Sequence, residues 1–252
     1  MSIEEVFPNP LVKRVIFQIR FPNLFYIEDK IGEFQLKIME QFPKSSMIFE
    51  KQIVFNIGYE SEIKDEDKKK LDQGARKVWK FENDEKVQVN VYSDSLSITS
   101  ESHKTYNNDH AGNKFRDTIN FVVGSFIEIV KIPIILRIGF RYMDEYPMGE
   151  MNNEIFSQSF NPAFNIDRFD VSKALNINFQ TNLIVGDKFF NYAERIEKKE
   201  NNWLIHLDFD AFAKNIKAVD YLEITDKLHE INSQEFETVI KEPVYQYMRN
   251  ID

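Results

Sequence analysis

The chain has 252 residues and no cysteine, which excludes disulfides, thiolate metal sites, iron–sulfur clusters and cysteine nucleophiles. With 42% hydrophobic residues, 23 phenylalanines and only 8 glycines and 8 prolines, it has the material for a full core and no low-complexity linker. A formal charge of −9 disfavours generic attachment to nucleic acid or to an anionic membrane, although a local basic patch stays open.

The acidic opening, Met1–Phe7, does not read as a signal peptide. The most apolar stretch, Phe126–Leu136, is interrupted by Glu128, Lys131 and Pro133 and is too short to cross a bilayer. A cytoplasmic, reducing location is therefore expected, with no membrane partner.

Pro10–Pro22 alternates as a strand, with Lys13, Val15, Phe17, Ile19 and Phe21 on one face and Val12, Arg14, Ile16, Gln18 and Arg20 on the other. Ile27, Ile31, Phe34, Ile38 and Phe42 recur at helical spacing over Tyr26–Phe42, and Pro43 stops that helix. A strand is expected over Met47–Ile57, and the charge run at residues 60–74 reads as a solvated loop or frayed helix. Strands follow over Lys77–Glu82 and Val87–Ser100, with a turn at Asn83-Asp84, and Ser102–Asn113 reads as a polar loop.

Phe115–Val130 carries the cleanest helical stripe, made by Phe115, Ile119, Val122, Phe126 and Ile129. Pro133 ends it and opens a strand over Ile134–Met143. An irregular segment near 148–168 precedes strands over Val171–Val185, Lys188–Lys198 and Trp203–Phe212, punctuated at Gly186-Asp187 and Asn201-Asn202. The last helix begins near Tyr221 with Ile224, Leu228 and Ile231; its stripe slips at Asn232-Ser233 and resumes at Phe236 and Val239.

This order suggests one domain built from two half-repeats, about 10–133 and 134–252. Phe126–Pro133 aligns without gaps on Phe236–Pro243, and Ile19-Arg20-Phe21 resembles Phe140-Arg141-Tyr142. The expected architecture is α+β: a pseudo-duplicated antiparallel sheet, or two abutting sheets, with the long helices packed on one face.

Three blocks carry a family resemblance. Asn9-Pro-Leu-Val-Lys-Arg-Val-Ile-Phe-Gln-Ile-Arg-Phe-Pro22, Leu136-Arg-Ile-Gly-Phe-Arg-Tyr-Met143 and Leu228-His-Glu-Ile-Asn-Ser-Gln-Glu-Phe-Glu-Thr-Val-Ile240 resemble the opening, centre and end of a sporadically distributed family of bacterial and archaeal proteins. The family's central motif usually ends Arg-Tyr-Ile-Asn, from which Met143-Asp144 departs. The resemblance implies no particular activity, cofactor or catalytic residue. Its patchy distribution implies mobile genes, and hence an association with defence or toxin–antitoxin loci.

Glycine-rich phosphate loops, nucleophile elbows and the H-E-x-x-H metal motif are all missing, and no cofactor is implied. The four histidines are His103, His110, His206 and His229. The first two read as exposed loop residues, and His229 as a packing residue at a helix border.

His206, Asp208 and Asp210 share one strand face, either as weak candidates for a metal site or as the wet side of a half-buried strand. Arg14, Gln18 and Arg20 share the non-core face of the first strand, and Arg137, Gly139 and Arg141 that of the strand opening the second half. If the halves are duplicates, Arg20 and Arg141 approach across a pseudo-twofold, and Gly139 leaves room for a ligand or another side chain. The arginines then either bind an anion or acidic partner or pair with internal carboxylates such as Asp208 and Asp210.

The leading expectation is a non-enzymatic binding or interaction module for a protein partner or small anion, with Gln18, Arg20, Arg137 and Arg141 at the site. One alternative is a metal-dependent or acid–base enzyme acting on phosphoesters. Another is nucleic-acid binding on the open sheet face through the arginines with Tyr92 or Tyr192, against which the acidic balance counts. Oligomerisation stays open.

Overall fold

The structure is a computed structural model, described for residues 5–51, 75–103, 105–108, 112, 114–199 and 202–250. The charge run at 60–74, the expected strand beyond residue 51 and His110 lie outside the described residues.

The described elements of the first half are β1 (Val12–Arg20), α1 (Ile27–Ile38), β2 (Lys44–Lys51), β3 (Ala75–Glu82), β4 (Val87–Val91), β5 (Ser95–Ser100) and α2 (Phe115–Val130). Those of the second are β6 (Ile134–Met148), α3 (Asn153–Ser159), β7 (Asn176–Val185), β8 (Lys188–Lys199), β9 (Asn202–Lys217), α4 (Tyr221–Val239) and α5 (Glu242–Arg249). The fold is α+β, with one nine-stranded antiparallel sheet in the order β2-β3-β4-β5-β1-β6-β9-β8-β7. The opening strand of each half lies beside the last strand of that half, β1 against β5 and β6 against β9, and β1 and β6 join at the centre.

Several boundaries differ from the sequence expectation for local reasons. The stretch 87–100 is a hairpin, because Tyr92 N–H donates to the Ser95 carbonyl and splits it into β4 and β5. The irregular segment contains α3, whose N-cap Asn152 accepts a hydrogen bond from Ile155 N–H. Residues 171–173 form a 3₁₀ turn, and β7 begins only at Asn176. α4 runs unbroken past Asn232-Ser233, and Pro243 starts α5 in the first helical turn, where its missing N–H costs nothing.

The core forms where phenylalanines of sheet and helices meet. Phe126 of α2 packs on Phe21 and on Phe34 of α1, each at 5.4 Å, and Phe34 also meets Phe81 of β3 at 5.6 Å. In the other half, Phe236 of α4 reaches Phe209 of β9 at 6.0 Å. Phe17 and Phe140, fully buried on the paired central strands, meet edge to face at 6.5 Å. Burial of this kind supplies most of the fold's stability. Among the described residues, no helix is long and apolar enough to cross a membrane.

One irregularity shapes the centre of the sheet. β1 pairs with β6 in steady register from Arg14 to Arg20, but Val12 pairs with Asp144, so Lys13 is an extra residue in the ladder. Such a bulge bends the strand and weakens pairing beyond it. It turns Val12 to the same side as Asp144, at the mouth of a cavity.

Candidate ligand-binding cavity

The cavity measures about 660 Å³, within the usual range for small-molecule sites, and opens to solvent. Its floor comes from β1, β6 and β9 through Val12, Val15, Tyr142, Asp144 and Phe209. Its far wall is α4, with His229, Asn232, Ser233 and Phe236, and its sides are His103, residues 105–108, Phe7 and Leu11.

A ring cluster holds the wall in place. His229 stacks on Tyr106 at 4.2 Å between centroids and lies edge-on to Phe140 at 6.1 Å. Its Nδ1 shares a hydrogen bond with the Tyr142 hydroxyl at 2.9 Å, and its Nε2 one with Ser233 Oγ at 3.3 Å. Burial pushes the His229 pKa down to about 4, so the ring is neutral at physiological pH, and burial drives the Tyr142 phenol well above its ordinary value. Tyr106 donates its hydroxyl to Asp226 Oδ1 at 2.5 Å, and Arg116 clamps the same carboxylate at 2.7 and 2.9 Å. These bonds fix Tyr106 and its neighbours at 105–108 against α4.

Asp144 and Asn232 are left over. Asp144 is only 6% exposed and makes no hydrogen bond with any described residue. Burial, reinforced by the charge of Asp208, raises its pKa to about 7. Asn232 is 2% exposed; its Nδ2 donates to the Phe140 carbonyl at 2.8 Å, while its Oδ1 has no partner among the described residues. Buried polar groups are nearly always paired, so Asn232 Oδ1, like Asn90 Oδ1 and Glu194 Oε1 elsewhere, is an exception, and on the cavity floor it is joined by Asp144, a carboxylate with little solvent contact and no partner among the described residues.

The arginines expected from sequence lie on the opposite sheet face. Register sets Arg20 across from Arg137, and Arg141 across from Ile16, so Arg20 and Arg141 are not neighbours. The antiparallel pairing slides them apart because the facing pair at the centre is Gln18 and Gly139. Arg137 runs over Gly139 and the Phe212 ring, 4.4 Å from its centroid, to reach Asp210 at 3.1 Å. Asn191 Nδ2 donates to the same carboxylate at 3.1 Å. Arg141 grips Asp208 through Nε at 2.7 Å and through a second, shorter bond from its terminal nitrogen. Among the described residues Arg20 donates only to Gln18 Oε1, at 3.1 Å, and Arg14 pairs with Glu101 at 2.6 Å.

The candidate metal residues are drawn into separate contacts. Asp208 and Asp210 take the arginines, and His206 turns to Glu197 at 3.1 Å and Glu145 at 3.6 Å. Among the described residues no group of three or more histidines or carboxylates is placed to hold a metal ion. His103, expected in an exposed loop, is instead half-buried, with Nδ1 sharing a 2.7 Å hydrogen bond with Ser100 Oγ and its ring edge-on to Phe115 at 5.0 Å.

Sequence reasoning missed the cavity but not its signals. The slip of the apolar stripe at Asn232-Ser233 is the polar wall itself. No family model matches the chain, and neither a curated protein nor a solved structure does.

Proposed function

We propose that this chain is a binding module that holds a small molecule in the cavity between the central strands and α4. The observation that carries the reading is Asp144, a carboxyl group nearly sealed from solvent on the cavity floor with no hydrogen bond from the described residues. Beside it Asn232 Oδ1 is fully buried without a partner among the described residues; an unpaired buried acceptor costs about 1–3 kcal/mol, and a ligand donor would remove that cost. The ring cluster of Tyr106, Tyr142 and His229 serves as a rigid wall, its hydrogen bonds already spent within the protein.

The scaffold of this module is, in our reading, a duplicated half with its long helices on one sheet face. Matching Ile19-Arg20-Phe21 to Phe140-Arg141-Tyr142 carries Gln18 onto Gly139, and those two residues face each other across β1 and β6, as a local twofold requires. The cavity then lies off that axis, where the bulge at Lys13 breaks the symmetry. The resemblance to a family of mobile-gene distribution fits a sensing or partner-linked role and supplies no chemistry.

The arginine face is the second reading, favoured by one observation: Arg20 has a glutamine partner where Arg14, Arg137 and Arg141 have carboxylates. It suits an acidic partner better than a small anion, since its neighbours are already neutralised.

Ligand-observed NMR with a fragment library tests the main reading, using Ser233→Phe to fill the cavity. Fragments that bind the unaltered chain and lose contact with the variant support it. A library in which no fragment distinguishes the two proteins overturns it.

A further inference from the structure

The cavity's own charges narrow its ligand, given the reading above that the cavity is a binding site. Its described lining holds the carboxylates Glu5, Asp144, Asp226 and Glu230 and neither lysine nor arginine. Asp226 is matched by Arg116 and Glu5 by Arg249, at 2.7 and 2.8 Å, and Glu230 accepts from Gln234 at the exposed rim. Asp144 alone is both buried and unmatched.

The walls add a second constraint. Tyr106, Phe115, Tyr142, Phe209 and Phe236 present aromatic surface, and Leu11, Val12 and Val15 add aliphatic surface. An anion brought here would meet an unpaired carboxyl and the negative faces of the rings. A cation is attracted by both. Asn232 Oδ1, another unpaired acceptor, calls for a donor, and an ammonium group carries three.

We infer that the cavity takes a small primary amine with an apolar body, its ammonium group against Asp144 and its body among the aromatic rings. This is the reverse of the charge preference that the arginine face suggests, and it lies on the other side of the sheet. Asp144 is the counter-ion: the alternation of β6 sets it on the same side as Phe140 and Tyr142, and the bulge at Lys13 brings Val12 beside it.

Three probes of one shape test the inference: 4-phenylbutylamine, 4-phenylbutyrate and 4-phenylbutanol, titrated calorimetrically into the full chain at pH 8. The amine should bind, the alcohol at least ten-fold more weakly, and the carboxylate not at all. Asp144→Asn should weaken the amine at least ten-fold while leaving the circular-dichroism spectrum unchanged. Equal or tighter binding of the alcohol or carboxylate, lost in Ser233→Phe, overturns the amine assignment and leaves the cavity reading standing. Failure of all three probes overturns the amine assignment, and the fragment screen then decides the cavity reading separately. The comparison of charge classes uses the unaltered chain, so it holds even if the Asp144 variant does not fold.

Discussion

The guanidinium of Arg137 occupies the space that a side chain on Gly139 would fill. A strand glycine is otherwise a weak choice, costing roughly 0.5–1 kcal/mol relative to alanine. Here it is the gap through which Arg137 crosses to Asp210, lying on Phe212 as it goes. Gly139→Ala should therefore destabilise the fold by about 1 kcal/mol, by displacing the guanidinium from both partners. In an Arg137→Ala background the same change should be neutral or stabilising. Urea denaturation of the four proteins in this cycle checks the sign reversal; two independent, additive effects would show that the glycine and the arginine are unrelated.

The strand alternation and the helix stripes were legible because they depend on periodicity that each segment carries alone. Val15, Phe17, Ile19 and Phe21 needed no partner to declare the buried face of β1. The arginine face was legible as a face, but its pairing was not, because register is a relation between strands. A register shift of four residues separates a pairing of Arg20 with Arg137 from one with Arg141. The cavity was the least legible part. The alternation of β6 turns Asp144 to the side of Phe140 and Tyr142, but the helix that encloses it there begins more than seventy residues away, and nothing local to Asp144 encodes that.

Phe140 ties the central strands to the cavity wall. It is fully buried, contacts Phe17 and Tyr142, and stacks on Phe115 at 5.9 Å, and its carbonyl anchors Asn232. Phe140→Ala should cost about 3–5 kcal/mol, the range for large cavities in aromatic cores. Chemical denaturation measures it, and a loss below about 1 kcal/mol would mean the ring cluster repacks freely.

Arg141→Ala weighs the ion pair on the open face. Its side chain is 41% exposed and that of Asp208 25%, so solvent screens the charges and re-solvates the carboxylate left behind. The expected loss is about 1 kcal/mol, shrinking in high salt. A loss several times larger, insensitive to salt, would place the pair in a far less solvated setting than this geometry gives it.

Asp144 and His229 should impose opposite pH dependences on stability. The Asp144 pKa rises on folding to about 7, so below its unfolded value of about 3.8 burial carries no penalty; stability is then lost as pH rises through the folded value. The His229 pKa falls on folding to about 4, so its neutral ring fits above about 6.5, and stability is lost as pH falls through the folded value. Each slope is about 1.4 kcal/mol per pH unit where folded and unfolded states differ by a full proton. Between about pH 4 and 6.5 the two nearly cancel in the unaltered chain. The groups that act on Asp144 are Lys13 of β1 and Asp208 of β9, and Tyr142 of β6, His229 and Glu230 of α4, and Glu5 line the same cavity. Those around His229 are Asp226, Tyr106 and Tyr142. Asp144→Asn should gain stability over the unaltered chain progressively from about pH 4 to 7, and His229→Gln should gain it progressively from about pH 6.5 down to 4. Urea unfolding of the three proteins across this range reads both differences directly, since groups common to all three drop out. A pH-independent offset for Asp144→Asn would show that this carboxyl is ionised in the fold as freely as in the unfolded chain. It would then be a solvated side chain, unsuited to act as the buried counter-ion of an amine.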